Sequence, residues 1–137
     1  MQRLLGIDFG NKHLGLALTD PSKTIARPFK TIDYNSQTLS VIEKICQEEE
    51  VAQIILGLPK SLNGTLGPQG NQVMEFKKQL ESKIRIPVIL EDERLTTKIA
   101  QQLYQTEGKS VKQSREKINE LAAQIILESY LERTSNR

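Results

Sequence analysis

The chain has 137 residues and a formal net charge of +2, with 37% hydrophobic and 26% charged residues. That is one domain's worth at roughly 100–200 residues per domain, long enough to bury about two-thirds of its unfolded surface without staples. No apolar run reaches the roughly 20 residues of a membrane span, the start MQRLLGIDFG is not a secretory signal, and a single cysteine excludes an internal disulfide, so a cytoplasmic location is expected.

The first third of the chain reads as strands. Residues 3–9 carry the apolar run LLGI, Gly10-Asn11 offers a turn, and residues 14–19 (LGLALT) follow. Asp20-Pro21-Ser22 turns the chain again before a third strand at 24–33. Short turns between consecutive strands predict antiparallel hairpins. Residues 36–49 place Leu39, Ile42, Ile45 and Cys46 at helical spacing, with Ser36 as N-cap. Cys46 falls in that apolar pattern and reads as a small buried hydrophobe. A strand at 52–57 ends in Gly57-Leu58-Pro59, and the polar stretch 60–70 holds an Asn63-Gly64 turn. A helix at 71–83, a strand at 87–90 and a helix at 97–106 come next. The longest helix, 114–132, has an apolar stripe of Ile118, Leu121, Ala122, Ile125 and Ile126. Three hairpin strands followed by βαβ units predict an α/β fold: a mixed five-stranded sheet with helices on both faces. Ligands of such sheets sit at the carboxyl ends of the strands.

Asp8 ends the first strand among Leu4, Leu5, Ile7 and Phe9, with Gly6, Gly10 and Gly15 keeping bulk away. A carboxylate there needs a cation or hydrogen bonds; the plainer alternative is an Asp capping the Gly10-Asn11 turn. Glu91-Asp92-Glu93-Arg94 follows the strand at 87–90, and three adjacent acids favour a metal or nearby cations. The alternative is a solvated loop paired with Arg94, with Thr96 or Thr97 capping the next helix. On the last helix, Glu116 and Asn119 share a face. Glu116 and Glu120 read as surface residues, Asn119 less so because Ala122-Ala123 permits close approach. Hard oxygen donors without histidine or thiolate ligands suit Mg²⁺ or Mn²⁺. Two such ions about 3.5–4 Å apart suit in-line phosphodiester cleavage. His13 is either a phosphate contact or a turn residue.

GIDFGNKHLGLALTD, IILGLPKSLNGTLGP, EDERLTT and KINELAAQIIL resemble, in order and spacing, motifs of the YqgF family. These are Holliday-junction-resolvase-like proteins linked to nucleolytic maturation of the 16S ribosomal RNA precursor. The resemblance spans nearly the whole chain. It implies one ribonuclease-H-like nuclease domain over residues 1–137, a metal-dependent hydrolase of phosphodiester bonds acting in the cytoplasm. By position the catalytic candidates are Asp8, Asp92, Glu93 and Asn119, with Asp8, Glu93 and Asn119 as metal ligands. The candidate substrate contacts are Gly10, Lys12, His13, Gly57, Pro59, Asn63, Arg94 and Thr96. The family has Asp where this chain has Asn119, and a neutral amide supplies less charge to a second ion. The expected partner is nucleic acid, pre-ribosomal RNA ahead of branched DNA, bound by a monomer or weak homodimer.

Three further readings stay open. One is a DNA junction resolvase using the same carboxylates. Another is an RNA-binding assembly factor without catalysis. The third follows from GIDFGNKHLG, which also looks like the phosphate hairpin of actin-like ATPases and sugar kinases, although those need two such cores. With 3 Phe, 3 Tyr and no Trp, a stacking platform for single strands is not expected. Phosphate contacts would come from Lys60 and from Lys109, Lys112, Arg115 and Lys117, a cluster that reads equally as a solvated helix entry. The +2 charge then averages that basic run against an acidic pocket of Asp8, Glu91, Asp92 and Glu93.

Overall fold

The structure is a computed structural model that describes residues 2–59, 66–92 and 111–135, with side chains in the last range from residue 117 onward. The expected helix at 97–106 lies outside the described residues. Five strands form one sheet: β1 (Arg3–Asp8), β2 (His13–Thr19), β3 (Ala26–Asp33), β4 (Val51–Leu58) and β5 (Val88–Asp92). The described helices are α1 (Thr38–Glu48), α2 (Pro68–Lys83) and α3 (Val111–Ser135).

The sheet order is β3-β2-β1-β4-β5. β1 pairs antiparallel with β2, and β2 with β3, as the short turns predict. β1 pairs parallel with β4 and β4 with β5, the geometry that helical crossovers require. Strand alternation divides the core in two. Leu5, Ile7, Leu14, Leu16, Ile54 and Leu56 face α1 and α2, meeting Ile42, Ile45, Val73, Phe76 and Leu80. Leu4, Ala17 and Ile55 face α3, meeting Ala123, Ile126 and Leu127. The second face is lined by smaller residues because α3 lies close to the strands. A methyl group at Gly6 would fall 2.6 Å from Leu127 Cγ, and one at Gly15 only 2.0 Å from the Asn119 carbonyl oxygen.

Three expectations are corrected. Ser36 is not the cap of α1; Gln37 takes that place without a side-chain cap. Instead Asn35 Oδ1 accepts from Gln37 N at 2.8 Å, while Thr38 Oγ1 accepts from Asn35 N and donates to the Asp33 carbonyl. α2 starts at Pro68, not 71, since proline's fixed φ and missing N–H suit a first helical turn. β5 runs on through Glu91 and Asp92, past the expected end at residue 90. Cys46 is buried as expected, and that burial pushes its thiol up to about 11.

Candidate nucleic acid cleavage site

One register row crosses the α3 face at the carboxyl end of β1. Thr31 pairs with Gly15, Gly15 with Asp8, and Gly57 with Glu91. Ile7 pairs with Leu56, which sets Asp8 beside Gly57. From β3 to β5 the row therefore reads Thr31, Gly15, Asp8, Gly57, Glu91. Asp8, 9% exposed, stands between two glycines, so no neighbouring side chain in the row crowds its carboxylate. Substituents on both glycines would narrow the space a bound group needs.

α3 crosses over this row. The stretch from Asn119 to Arg133 covers about 21 Å at 1.5 Å per residue, close to the roughly 19 Å spanned by five strands. At the β2 end its backbone at Asn119 presses on Gly15, which places half-buried Asn119 near Asp8. At β3, Thr31 Oγ1 donates to Glu120 Oε2 at 3.2 Å and Lys117 Nζ to Oε1 at 3.4 Å. Glu120 is 7% exposed, which overturns its reading as a surface residue. Its signal was absent from the helix pattern, because the burial comes from β3 rather than from the apolar stripe.

Glu91, at the other end of the row, is 5% exposed. Arg133 donates to its Oε1 from Nη2 at 2.7 Å and from Nε at 3.2 Å, and Ser129 Oγ donates to Oε2 at 2.8 Å. The carboxylate in turn pushes the Arg133 guanidinium further above its usual value. Glu91 therefore belongs to a closed ion pair and not, as expected, to an acidic pocket with Asp8. Asp92 alternates to the face opposite Asp8 and is exposed.

The hairpin between β1 and β2 closes the site at its rim. An added Cβ at Gly10 would lie 2.5 Å from the His13 carbonyl oxygen, so the turn admits only glycine there. Lys12 is exposed, and its carbonyl accepts from Tyr34 N at 2.8 Å. His13 shares the face of Gly15, one pleat further out, with Nδ1 3.1 Å from Asp33 Oδ1. Pro59 turns away toward α2, its carbonyl against Gly70. Asn63, Glu93, Arg94 and Thr96 lie outside the described residues. Among the described residues no group of three His, Cys, Asp or Glu gathers to hold a metal ion. The Asp8 carboxylate, and the amide type that Asn119 carries on the helix over Gly15, are hard oxygen donors of the kind Mg²⁺ and Mn²⁺ take.

A concavity of about 900 Å³ lies at the opposite end of the sheet, lined by Leu4, Lys23, Gln53 and the last turns of α3. It contains none of the acids of the row. Strand-end position and carboxylate chemistry decide for the site around Asp8.

A five-stranded mixed sheet with a carboxylate at the end of its central strand and a helix laid across it is the ribonuclease-H-like arrangement. Two solved structures share this fold: Thermus thermophilus RuvC in complex with Holliday junction substrate, with TM-score 0.59, 12% identity and 98% of both chains covered, and the fowlpox virus Holliday junction resolvase, with TM-score 0.56, 13% identity and 96% and 99% covered. The RuvX Holliday junction resolvase family matches residues 2–133, and the chain belongs to that family. Curated relatives include a protein of Thermoanaerobacter pseudethanolicus, 45% identical over 98% of this chain and 99% of its own length. Another, from Caldanaerobacter subterraneus, is 42% identical over the same shares. Both carry the name "Putative pre-16S rRNA nuclease". No described helix is long and apolar enough to cross a membrane.

Proposed function

We propose that this chain is a metal-dependent nuclease that hydrolyses phosphodiester bonds of the 16S ribosomal RNA precursor. The observation that carries the reading is Asp8, buried at the end of the central strand and flanked by Gly15 and Gly57, with α3 crossing at Asn119 against Gly15. Family membership and the names of the relatives support the substrate class. Asp8 would hold Mg²⁺ or Mn²⁺, with the Asn119 carbonyl oxygen as a neutral second donor. When bound, such ions lower the pKa of an attacking water and offset charge on the leaving oxygen. Glu93 is the favoured acid from the third element. Asp92, its neighbour in the acidic run, turns to the far face of the sheet. Lys12 and His13, on the exposed rim, supply cationic or donor contacts to substrate phosphates, and Arg94 is proposed to do the same.

The second reading, resolution of branched DNA, rests on the family description. Incubating the protein and Mn²⁺ with a 5′-extended 16S precursor or with a four-way DNA junction separates the two. The first reading expects cuts in the RNA and an intact junction. Junction cleavage with untouched RNA would reverse the assignment. Salt-sensitive RNA binding with no Mn²⁺-dependent product would leave an assembly factor without catalysis.

A further inference from the structure

Half of the chain's Phe and Tyr residues meet beside the site. Phe9 lies 5.1 Å from Tyr34, edge to face, and 4.7 Å from Phe76, with Tyr34 and Phe76 6.1 Å apart between ring centroids. Phe9 and Phe76 are buried, while Tyr34 is 38% exposed. A cavity of about 150 Å³ opens over this cluster. Its rim carries the amides of Asn11, Gln72 and Gln79 and the carboxylate of Glu75. Pockets that enclose a whole small molecule run to roughly 300–1,000 Å³, so this one suits a single planar group.

We infer that this cavity seats one unstacked base of the nucleic-acid strand whose backbone passes Asp8, an inference that rests on the nuclease reading above. Its location supports this occupant. Phe9 follows Asp8 directly and points to the opposite face, so the carboxylate and the cavity lie on either side of the same strand end. Between them stands the β1–β2 turn, where Gly10 presents no side chain to a chain crossing it. The Tyr34 amide is bonded to the Lys12 carbonyl on that turn, so the ring is held in fixed relation to the site. The chemistry matches as well. A half-exposed ring offers a stacking face that any base can use, and amides and carboxylates are the groups that bond base edges. Low aromatic content therefore did not exclude stacking, because the fold concentrates the few rings at one point.

The test uses short single-stranded RNA carrying 2-aminopurine at successive positions, with Ca²⁺ as the only divalent ion. Quenching at one position is expected on binding to the wild type and to Tyr34→Phe. Tyr34→Leu should lose that quenching and bind about 10-fold more weakly. An abasic nucleotide at the same position should erase the difference. Gln72→Ala, at an exposed rim position that leaves the ring packing alone, should weaken binding of the normal RNA more than of the abasic one. RNA that binds without quenching at any position, or equally well to Tyr34→Leu, overturns the inference and leaves the nuclease reading standing. Failure of the wild type to bind either RNA or branched DNA overturns that reading and this inference with it.

Discussion

Asp8 and Glu91 occupy the same register row, on the same face of the sheet, two strands apart. Both are nearly as buried as core leucines, yet their surroundings differ in kind. Both oxygens of Glu91 are taken by Arg133 and Ser129, whereas Asp8 is set between glycines at a strand end. Burial of a carboxylate thus does not mark a functional group. What separates the two is their place: Glu91 is fixed to α3 by Arg133 and Ser129, while Asp8 lies between glycines at the carboxyl end of the central strand.

Substitutions at the two acids should separate most. Asp8→Asn is expected to lower Mn²⁺-dependent RNA cleavage on the order of 1,000-fold, since several kcal/mol of charge stabilisation is lost at 1.36 kcal/mol per decade. Its thermal melt should stay close to wild type. Arg133→Met strands Glu91 without its cation and should lower Tm, while the double change Glu91→Met with Arg133→Met should recover most of the loss. Unaltered cleavage per folded molecule in the double variant is the expected sign that Glu91 is structural, and a loss comparable to Asp8→Asn would erase the contrast.

Gly15→Ala tests the close approach of α3. The methyl would meet backbone at Asn119, which cannot swing aside, so a loss of about 2–3 kcal/mol and a Tm drop of roughly 10 °C are expected. Cleavage should fall with it as Asn119 is pushed from Asp8. Asn119→Asp adds charge where the chain has only an amide and should raise the Mn²⁺-dependent rate by roughly 10-fold. An unchanged rate would show that Asn119 does not limit ion binding.

The smallest effect is expected at the far end of β2. Asp20 accepts bonds from the backbone N–H groups of Thr24 and Ile25, and from the hydroxyls of Ser22 and Thr24. The Ile25 and Ser22 bonds do most to hold its carboxyl well below the usual range. A depressed folded pKa contributes stability above the unfolded value, near 3.9, and loses it as pH falls toward the folded value. Asp20→Asn should therefore melt below wild type at neutral pH, and the gap should close only under about pH 4, with cleavage untouched.

The sheet was legible in the sequence because its alternation and turns are local signals. Hairpins at Gly10-Asn11 and Asp20-Pro21 and apolar runs at 52–57 and 87–90 lead to the observed strand order with few alternatives. Asp8 was legible for the same reason, as a charge placed where an apolar run ends. Glu91 and Asp92 look like one cluster in the sequence, whereas the strand sends them to opposite faces. Glu120 and the ring cluster were not legible at all. Thr31 and Glu120 are 89 residues apart, and Phe9 and Tyr34 directly follow β1 and β3 while Phe76 lies on α2. Only the crossing of α3 and the packing of α2 bring these groups together.

The most direct measurement is calorimetric titration of Mn²⁺ into wild type, Asp8→Asn and the Glu91→Met with Arg133→Met double variant. Binding is expected in the wild type and the double variant and lost in Asp8→Asn. Equal Mn²⁺ affinity in Asp8→Asn and wild type would contradict the account that Asp8, and not Glu91, is the acid that holds the ion.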